Sequence, residues 1–220
     1  MLFELVRSPA RGWRLGQNRL LLMADDQSPF DVLQAYLVAR ASFSAEELAF
    51  MGTMFLPRRL AAGEFLQRAG EVARYAAFVA RGCLRSFVID GKGKEHVVQF
   101  APEQWWLADA ISLNTRTPSQ YFFAAIEDSD VLLIDSPAQQ QVVDRVPGYS
   151  AAMRAGLQKH AAAKDRRIVK ALSATAAERY LDFMSTFPTI AQRVPQWMVA
   201  SYLGVSPETI SRIRKDLSRK

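Results

Sequence analysis

Three stretches with different hydrophobic periods follow one another along the chain. From Pro29 to Met54 the apolar positions Val32, Leu33, Tyr36, Leu37, Phe43, Leu48, Phe50 and Met51 recur at helical spacing. Ser44 stands three residues before Glu47, the form of a capping box, and predicts that a second short helix opens there. Residues 55–135 lose that period. Apolar runs at Tyr75–Val79, Cys83–Ile89, His96–Phe100, Tyr121–Ile126 and Val131–Ile134 alternate with turn residues: Gly63-Glu64, Gly70-Glu71, Arg81-Gly82, Asp90-Gly91-Lys92-Gly93 and Ala101-Pro102. Asp-Gly between apolar runs is a hairpin signal. Many short strands broken this often predict an antiparallel sandwich or barrel, not a parallel sheet.

From Pro137 the pattern turns helical again. Pro147 suits the first turn of a long helix running to about Leu172. Met153, Leu157, Ala161, Ile168 and Leu172 share one stripe of it, interrupted by Lys164, and no Gly or Pro follows Gly156. Two readings of the stripe stand: pairing with a second copy of the chain, or packing on the sheet domain. A further helix over Ala176–Met184 leads through Phe187-Pro188 into the last segment. Residues 1–27 show no clear period and read as a poorly ordered extension, with Met23 as an alternative start.

Gln196 to Lys215, QWMVASYLGVSPETISRIRK, fits a helix-turn-helix. Val199 and small Ala200 lie midway along a first helix, and Leu203-Gly204-Val205 form the turn. Gly204 can take the positive φ that a sharp turn needs. Ser206 caps the second helix and Pro207 occupies its first position, where a missing N–H costs nothing. Ile210 and Ile213 point inward. The outer face then holds Ser206, Pro207, Glu208, Thr209, Ser211, Arg212, Arg214 and Lys215, a set suited to a DNA major groove. A plain helical hairpin in a core has the same spacing.

Charge separates those readings. Residues 1–165 carry 18 Lys and Arg against 18 Asp and Glu; residues 166–220 carry 10 against 4, so the whole net charge of +6 lies around the motif. This is the footprint of phosphate-backbone binding. Composition removes other classes. No run of about 18 apolar residues spans a membrane, and no signal peptide is evident, so the cytoplasm is the expected location. Cys83, the single cysteine, cannot form an internal disulfide, and two histidines, His96 and His160, make a metal site unexpected; both read as solvated. An enzyme of the cupin-barrel kind would need clustered ligands or a base–nucleophile pair, and Glu95, His96 and Cys83 lack ligand spacing. No cofactor is expected.

Two stretches carry a family resemblance: FLPRRLAAGEFLQRAGEVARYAAFVARGCLRSFVIDGKGKEHVVQFAPEQWW (Phe55–Trp106) and ERYLDFMSTFPTIAQRVPQWMVASYLGVSPETISRIRK (Glu178–Lys215). Together they resemble the Crp/Fnr family of bacterial transcription regulators. The resemblance implies an α+β chain. It comprises an antiparallel, jelly-roll-like β-roll effector domain over 28–146, a dimerisation helix over 147–172 and a helix-turn-helix domain over 173–220. It implies a homodimer on double-stranded DNA, with RNA polymerase as a further partner and no membrane. Residues at the positions of Glu208 and Arg212 commonly read bases in the family. Arg212 can donate two bonds to guanine and Glu208 can accept from cytosine; a phosphate contact is the other reading of Arg212. Pro207 replaces a frequent arginine, so the recognised sequence should differ. No winged hairpin is expected beyond Lys220.

The effector region departs further from the family. Cyclic-nucleotide members hold the ribose with Gly-Glu and the cyclic phosphate with an Arg followed by a small residue. Here Leu107–Ile134 reads LADAISLNTRTPSQYFFAAIEDSDVLLI. Asp109 stands where the glutamate would, and Ser119 and Gln120 replace the arginine and its neighbour. A buried phosphate needs a paired charge that Ser119 lacks; Arg116 is the nearby substitute. Cyclic AMP is therefore not the expected effector. The iron–sulfur branch is excluded by the lone Cys83, and a haem branch would have only the two histidines as ligands. Trp105, Trp106, Tyr121 and Phe123 either line an apolar cavity for another small molecule or fill the core. The expected function is a sequence-specific DNA-binding regulator with a degenerate effector pocket. The alternative is a ligand-sensing β-roll whose C-terminal domain makes protein contacts.

Overall fold

The computed structural model describes residues 27–218, without the side chain of residue 159. The expected extension, Met23, and the last two basic residues lie outside the described part. Two helices, α1 (Pro29–Val38) and α2 (Ala45–Met54), come first. Both start on a reciprocal capping box: Ser28 with Asp31, and Ser44 with Glu47. Each box satisfies two otherwise free donors of the first turn.

Eight strands follow: β1 (Leu56–Leu60), β2 (Phe65–Gln67), β3 (Ala76–Arg81), β4 (Leu84–Ile89), β5 (Glu95–Ala101), β6 (Trp106–Leu107), β7 (Phe122–Ala125) and β8 (Ser129–Ile134). They form two antiparallel four-stranded sheets, ordered β1-β8-β3-β6 and β2-β7-β4-β5. A short helix, α3 (Ala110–Thr115), interrupts the strands after β6. The apolar runs of the sequence became β3, β4, β5, β7 and β8. β1, β2 and β6 carried no such run, because β1 reads Leu-Pro-Arg-Arg-Leu and the other two have three and two residues.

The remainder is helical: α4 (Ser136–Arg145), α5 (Pro147–Ser173), α6 (Ala176–Thr186), α7 (Ile190–Arg193), α8 (Gln196–Leu203) and α9 (Pro207–Leu217). At 27 residues α5 is about 40 Å long. Its first half packs on the roll. Gly156 admits the Tyr36 hydroxyl so closely that an added Cβ would lie 1.8 Å from it.

Three apolar clusters result. Leu60, Val79, Leu84, Leu107, Phe123 and Val131 fill the roll between its sheets. Leu33, Leu37, Met51, Phe78, Trp106, Val142, Tyr149 and Met153 join the outer face of the first sheet to α1, α2, α4 and α5. In the third cluster, Val97 and Phe100 of the second sheet and Cys83 just before β4 enter the core of the C-terminal helices, against Phe183, Phe187, Val199 and Tyr202. Burying a side chain such as Phe100 contributes about 1.5–3 kcal/mol, so the last domain is held to the roll by the hydrophobic effect as well as by polar contacts.

Two expectations change here. The α5 stripe divides: Met153 is buried in the roll-side core, whereas Leu157, Ile168 and Leu172 are 52%, 60% and 85% exposed. Helical drift turns the stripe away from the roll as α5 leaves it. His160 is buried and stacks on Trp105 at 4.3 Å, not solvated; His96 is half-exposed and paired with Asp90. The solvated reading failed for His160 because its face of α5 meets the β5–β6 turn.

Candidate nucleic-acid interface and effector region

The C-terminal motif is built by local backbone chemistry. Gly204 ends α8 in the left-handed region at φ 66°, and its N–H bonds back to Ala200 and Ser201 carbonyls. Ser206 Oγ accepts from the Thr209 N–H at 3.3 Å, and Pro207 takes the first helical position of α9. Gln196 Nε2 donates to the Pro207 carbonyl at 2.8 Å, tying the start of α8 to the start of α9. Ile210 and Ile213 are buried against α6 and α8. Ser206, Pro207, Glu208, Ser211, Arg212, Arg214 and Lys215 are exposed, and Thr209 is half-buried.

Charge on α9 follows its dipole, with Glu208 in the first turn and Arg214 and Lys215 in the last. A hydrogen bond with Ser206 holds the Glu208 carboxyl below the usual carboxylate range. It is an anion at neutral pH, an acceptor without a proton to give. No ion pair among the described residues engages Arg212, Arg214 or Lys215.

The motif is not free of the roll. Ser201 of α8 covers the open edge of β5: its Oγ accepts from the Val97 N–H at 2.9 Å and donates to the Glu95 carbonyl at 3.2 Å. Arg167 of α5 donates to the carbonyls of Val98 at 2.6 Å, Val97 at 3.2 Å and Tyr202 at 2.6 Å, and lies over the Tyr202 ring. Burial lowers its pKa below the ordinary guanidinium value. Arg193 of α7 grips two loops of the roll. Its guanidinium bonds both Glu103 oxygens, at 2.6 and 3.0 Å, and pairs closely with Glu127. Hydrogen bonds to these carboxylates raise the Arg193 pKa. Burial pushes the Glu103 carboxyl up, but the hydrogen bond and charge of Arg193, together with backbone hydrogen bonds, outweigh it and the net shift is downward.

The sequence reading placed Arg167 and Arg193 only in the basic C-terminal segment, and did not point to Ser201, Glu103 or Glu127. Each is a polar residue whose partner between the roll and the C-terminal helices lies 66 to 106 residues away. Proximity of that kind leaves no local signal.

The effector region is a closed polar network. Asp109 caps α3, accepting from the Ser112 N–H at 3.1 Å with one oxygen and from Ser119 Oγ at 2.7 Å with the other. Ser119 Oγ also accepts from Gln67 Nε2 at 2.8 Å and from the Tyr121 N–H at 3.0 Å. Ser112 Oγ accepts from the Ala73 N–H and donates to the Thr117 carbonyl. Asp109, Ser112, Ser119 and Gln67 are all buried. Gln67 and Ser112 complete the network, and the sequence reading missed them. The Asp-x-x-Ser spacing of a cap could have found Ser112; Gln67 arrives from another strand.

The remaining candidates lie elsewhere. Arg116 sits at the C-cap of α3 with φ 58° and is exposed, as is Gln120. Trp106 lies in the core against Phe55 and Phe78, and Phe123 lies inside the roll. Tyr121 is half-buried and Trp105 stacks on His160. These aromatics therefore do not share one cavity. The set Glu95, His96 and Cys83 is also dispersed: Glu95 pairs with Arg85, His96 with Asp90. Cys83 is buried among apolar side chains, which pushes its thiol up to about 12.

A double antiparallel roll, a long helix and a terminal helix-turn-helix make up the fold. Residues 57–146 match the family model of the cyclic nucleotide-binding domain. Among solved structures, a CooA mutant from Carboxydothermus hydrogenoformans aligns with TM-score 0.65 and 16% identity, over 89% of this chain and 86% of its own. FixK2 from Bradyrhizobium japonicum aligns with TM-score 0.64 and 18% identity, over 75% and 85%. The c-di-GMP-responsive global regulator CLP from Xanthomonas campestris aligns with TM-score 0.64 and 15% identity, over 80% and 92%. No curated protein matches the chain by sequence. Among the described residues no helix is long and apolar enough to cross a membrane.

Proposed function

We propose that this chain is a transcription regulator that reads the DNA major groove with α9, as a homodimer paired along α5. One observation carries the reading. A capped, dipole-matched helix presents Glu208, Arg212, Arg214 and Lys215 outward, with its apolar residues turned in. Arg212 and Glu208 read bases; Lys215 and Arg214 contact phosphates. The exposed Leu157, Ile168, Val169 and Leu172 of α5 supply the dimer seam. A two-fold pair would bind two half-sites about one DNA turn, or a multiple of it, apart. The chain acts by binding, without catalysis or a cofactor, and RNA polymerase is the partner through which a DNA-bound regulator of this fold acts.

DNA affinity measured over rising salt tests this. Binding should fall steeply and linearly on logarithmic axes. Salt-independent binding, or none, would favour a C-terminal domain devoted to protein contacts.

Cyclic AMP is not the effector in this reading. Ser119, which replaces the phosphate-binding arginine, already serves Asp109 and Gln67, and Arg116 faces solvent. Calorimetry should show no cyclic AMP binding. Micromolar binding that disappears in Arg116→Ala would mean that Arg116 turns inward.

A further inference from the structure

A cavity of about 150 Å³ lies where α5, α6 and α8 meet, away from the closed network of the roll. Its wall includes Leu203 and Gly204, the turn of the helix-turn-helix itself, and its floor is aromatic, with Phe183, Phe187 and Tyr202. Three cationic side chains line it: Arg167, Lys170 and Arg179. Asp182, the only carboxylate among the described lining residues, pairs with Arg166 from outside, although its buried Oδ1 makes no hydrogen bond to any described residue. Glu178 is the other acid nearby; it is bound to Thr175 at the start of α6 and feels Lys170 electrostatically.

The cations are incompletely satisfied. Arg167 meets three carbonyls and the Tyr202 ring but no carboxylate among the described residues. Arg179 gives Nη1 to the Leu203 carbonyl at 2.8 Å, while its Nε is buried with no acceptor among the described residues. The Lys170 ammonium has no ion pair within reach among them. Partly buried positive charge without a counter-ion is unfavourable. An anion brings the missing acceptors and makes charge-assisted bonds. Inorganic anions suit the cations but not the aromatic floor. The volume is that of one six-membered ring, since cavities of about 150 Å³ accept benzene.

We propose that this junction cavity binds a ring-sized organic carboxylate, with its carboxylate toward Lys170 and Arg179 and its ring on Phe183 and Tyr202. The proposal rests on the reading of the chain as an effector-responsive regulator, and it places the effector at the hinge instead of in the roll. Because Leu203 and Gly204 form one wall, occupancy bears directly on the seating of α8 and its turn. No signal has to cross the roll.

Benzoate is the probe, with benzamide as its uncharged counterpart and inorganic phosphate as the anion without a ring. Each is titrated into the full chain, without DNA, and followed by calorimetry and melting temperature. Failure here is thereby distinguishable from failure of the DNA-binding reading. Benzoate should bind saturably at millimolar concentration or below, and raise the melting temperature. Benzamide and phosphate should bind at least about tenfold more weakly. Lys170→Gln, on a half-exposed helical position that need not disturb folding, should weaken benzoate about tenfold. Ala163→Phe, which fills the cavity from α5, should abolish binding. Absent or non-saturable benzoate binding, equal binding of benzamide or phosphate, or full-strength binding to either variant would overturn the proposal.

Discussion

The polar network of the roll and the outer face of α9 use similar side chains to opposite ends. Each is built on a helix start capped by its own side chain, Asp109 for α3 and Ser206 for α9. In the roll, Gln67, Asp109, Ser112 and Ser119 are buried and answer one another at hydrogen-bond distance. On α9, Arg212, Arg214 and Lys215 stand exposed with no carboxylate paired to them among the described residues. A polar cluster whose bonds close on themselves serves stability. One whose donors face outward is available to a ligand. Residue type alone does not separate the two; the place of the partner does.

The sharpest way to break the comparison is to remove the second copy of the α9 face. Leu157→Glu puts charge on the exposed stripe of α5 that is proposed as the seam. It should yield monomers by sedimentation and lower affinity for a two-fold operator by about a hundredfold or more, because two linked sites become one. A monomeric wild-type protein binding such an operator at full strength would contradict the seam. The next two substitutions should have opposite signatures. Ser119→Ala deprives Asp109 and Gln67 of a buried partner at once. It should cost about 1–3 kcal/mol in denaturant unfolding and leave DNA affinity unchanged. Arg212→Ala should leave unfolding within about 0.5 kcal/mol of wild type and cost about 1–3 kcal/mol in specific DNA binding. If both variants lost stability alone, α9 would belong with the roll as structure.

How much of this was legible in the sequence depends on the range of the interaction responsible. The cap at Ser44, the left-handed Gly204, the Ser206 cap and the inward Ile210 and Ile213 all rest on neighbours within one or two turns, and all are visible as spacing. β3, β4, β5, β7 and β8 were legible from apolar runs. β1, β2 and β6 were not, because they are specified by the strands they pair with, β8, β7 and β3. The docking of α8 on β5 through Ser201 and Arg167, and the grip of Arg193 on Glu103 and Glu127, left no trace at all. The place of Asp109 and Ser119 in one region was readable from the family resemblance. That they bond to each other, and recruit Gln67, was not, since hydrogen-bond closure requires three chain segments to arrive together.

The central claim is that α9 reads base edges. It is tested most directly by measuring the dissociation constants of wild type and Arg212→Ala on an operator selected from random DNA, and on unselected DNA, at one fixed salt concentration. The account predicts that Arg212→Ala loses about tenfold to a hundredfold on the operator and keeps most of its affinity for unselected DNA, so that the ratio between them collapses. Equal loss on both DNAs would make Arg212 a phosphate contact. No preference for any selected sequence in the wild type would contradict the claim itself.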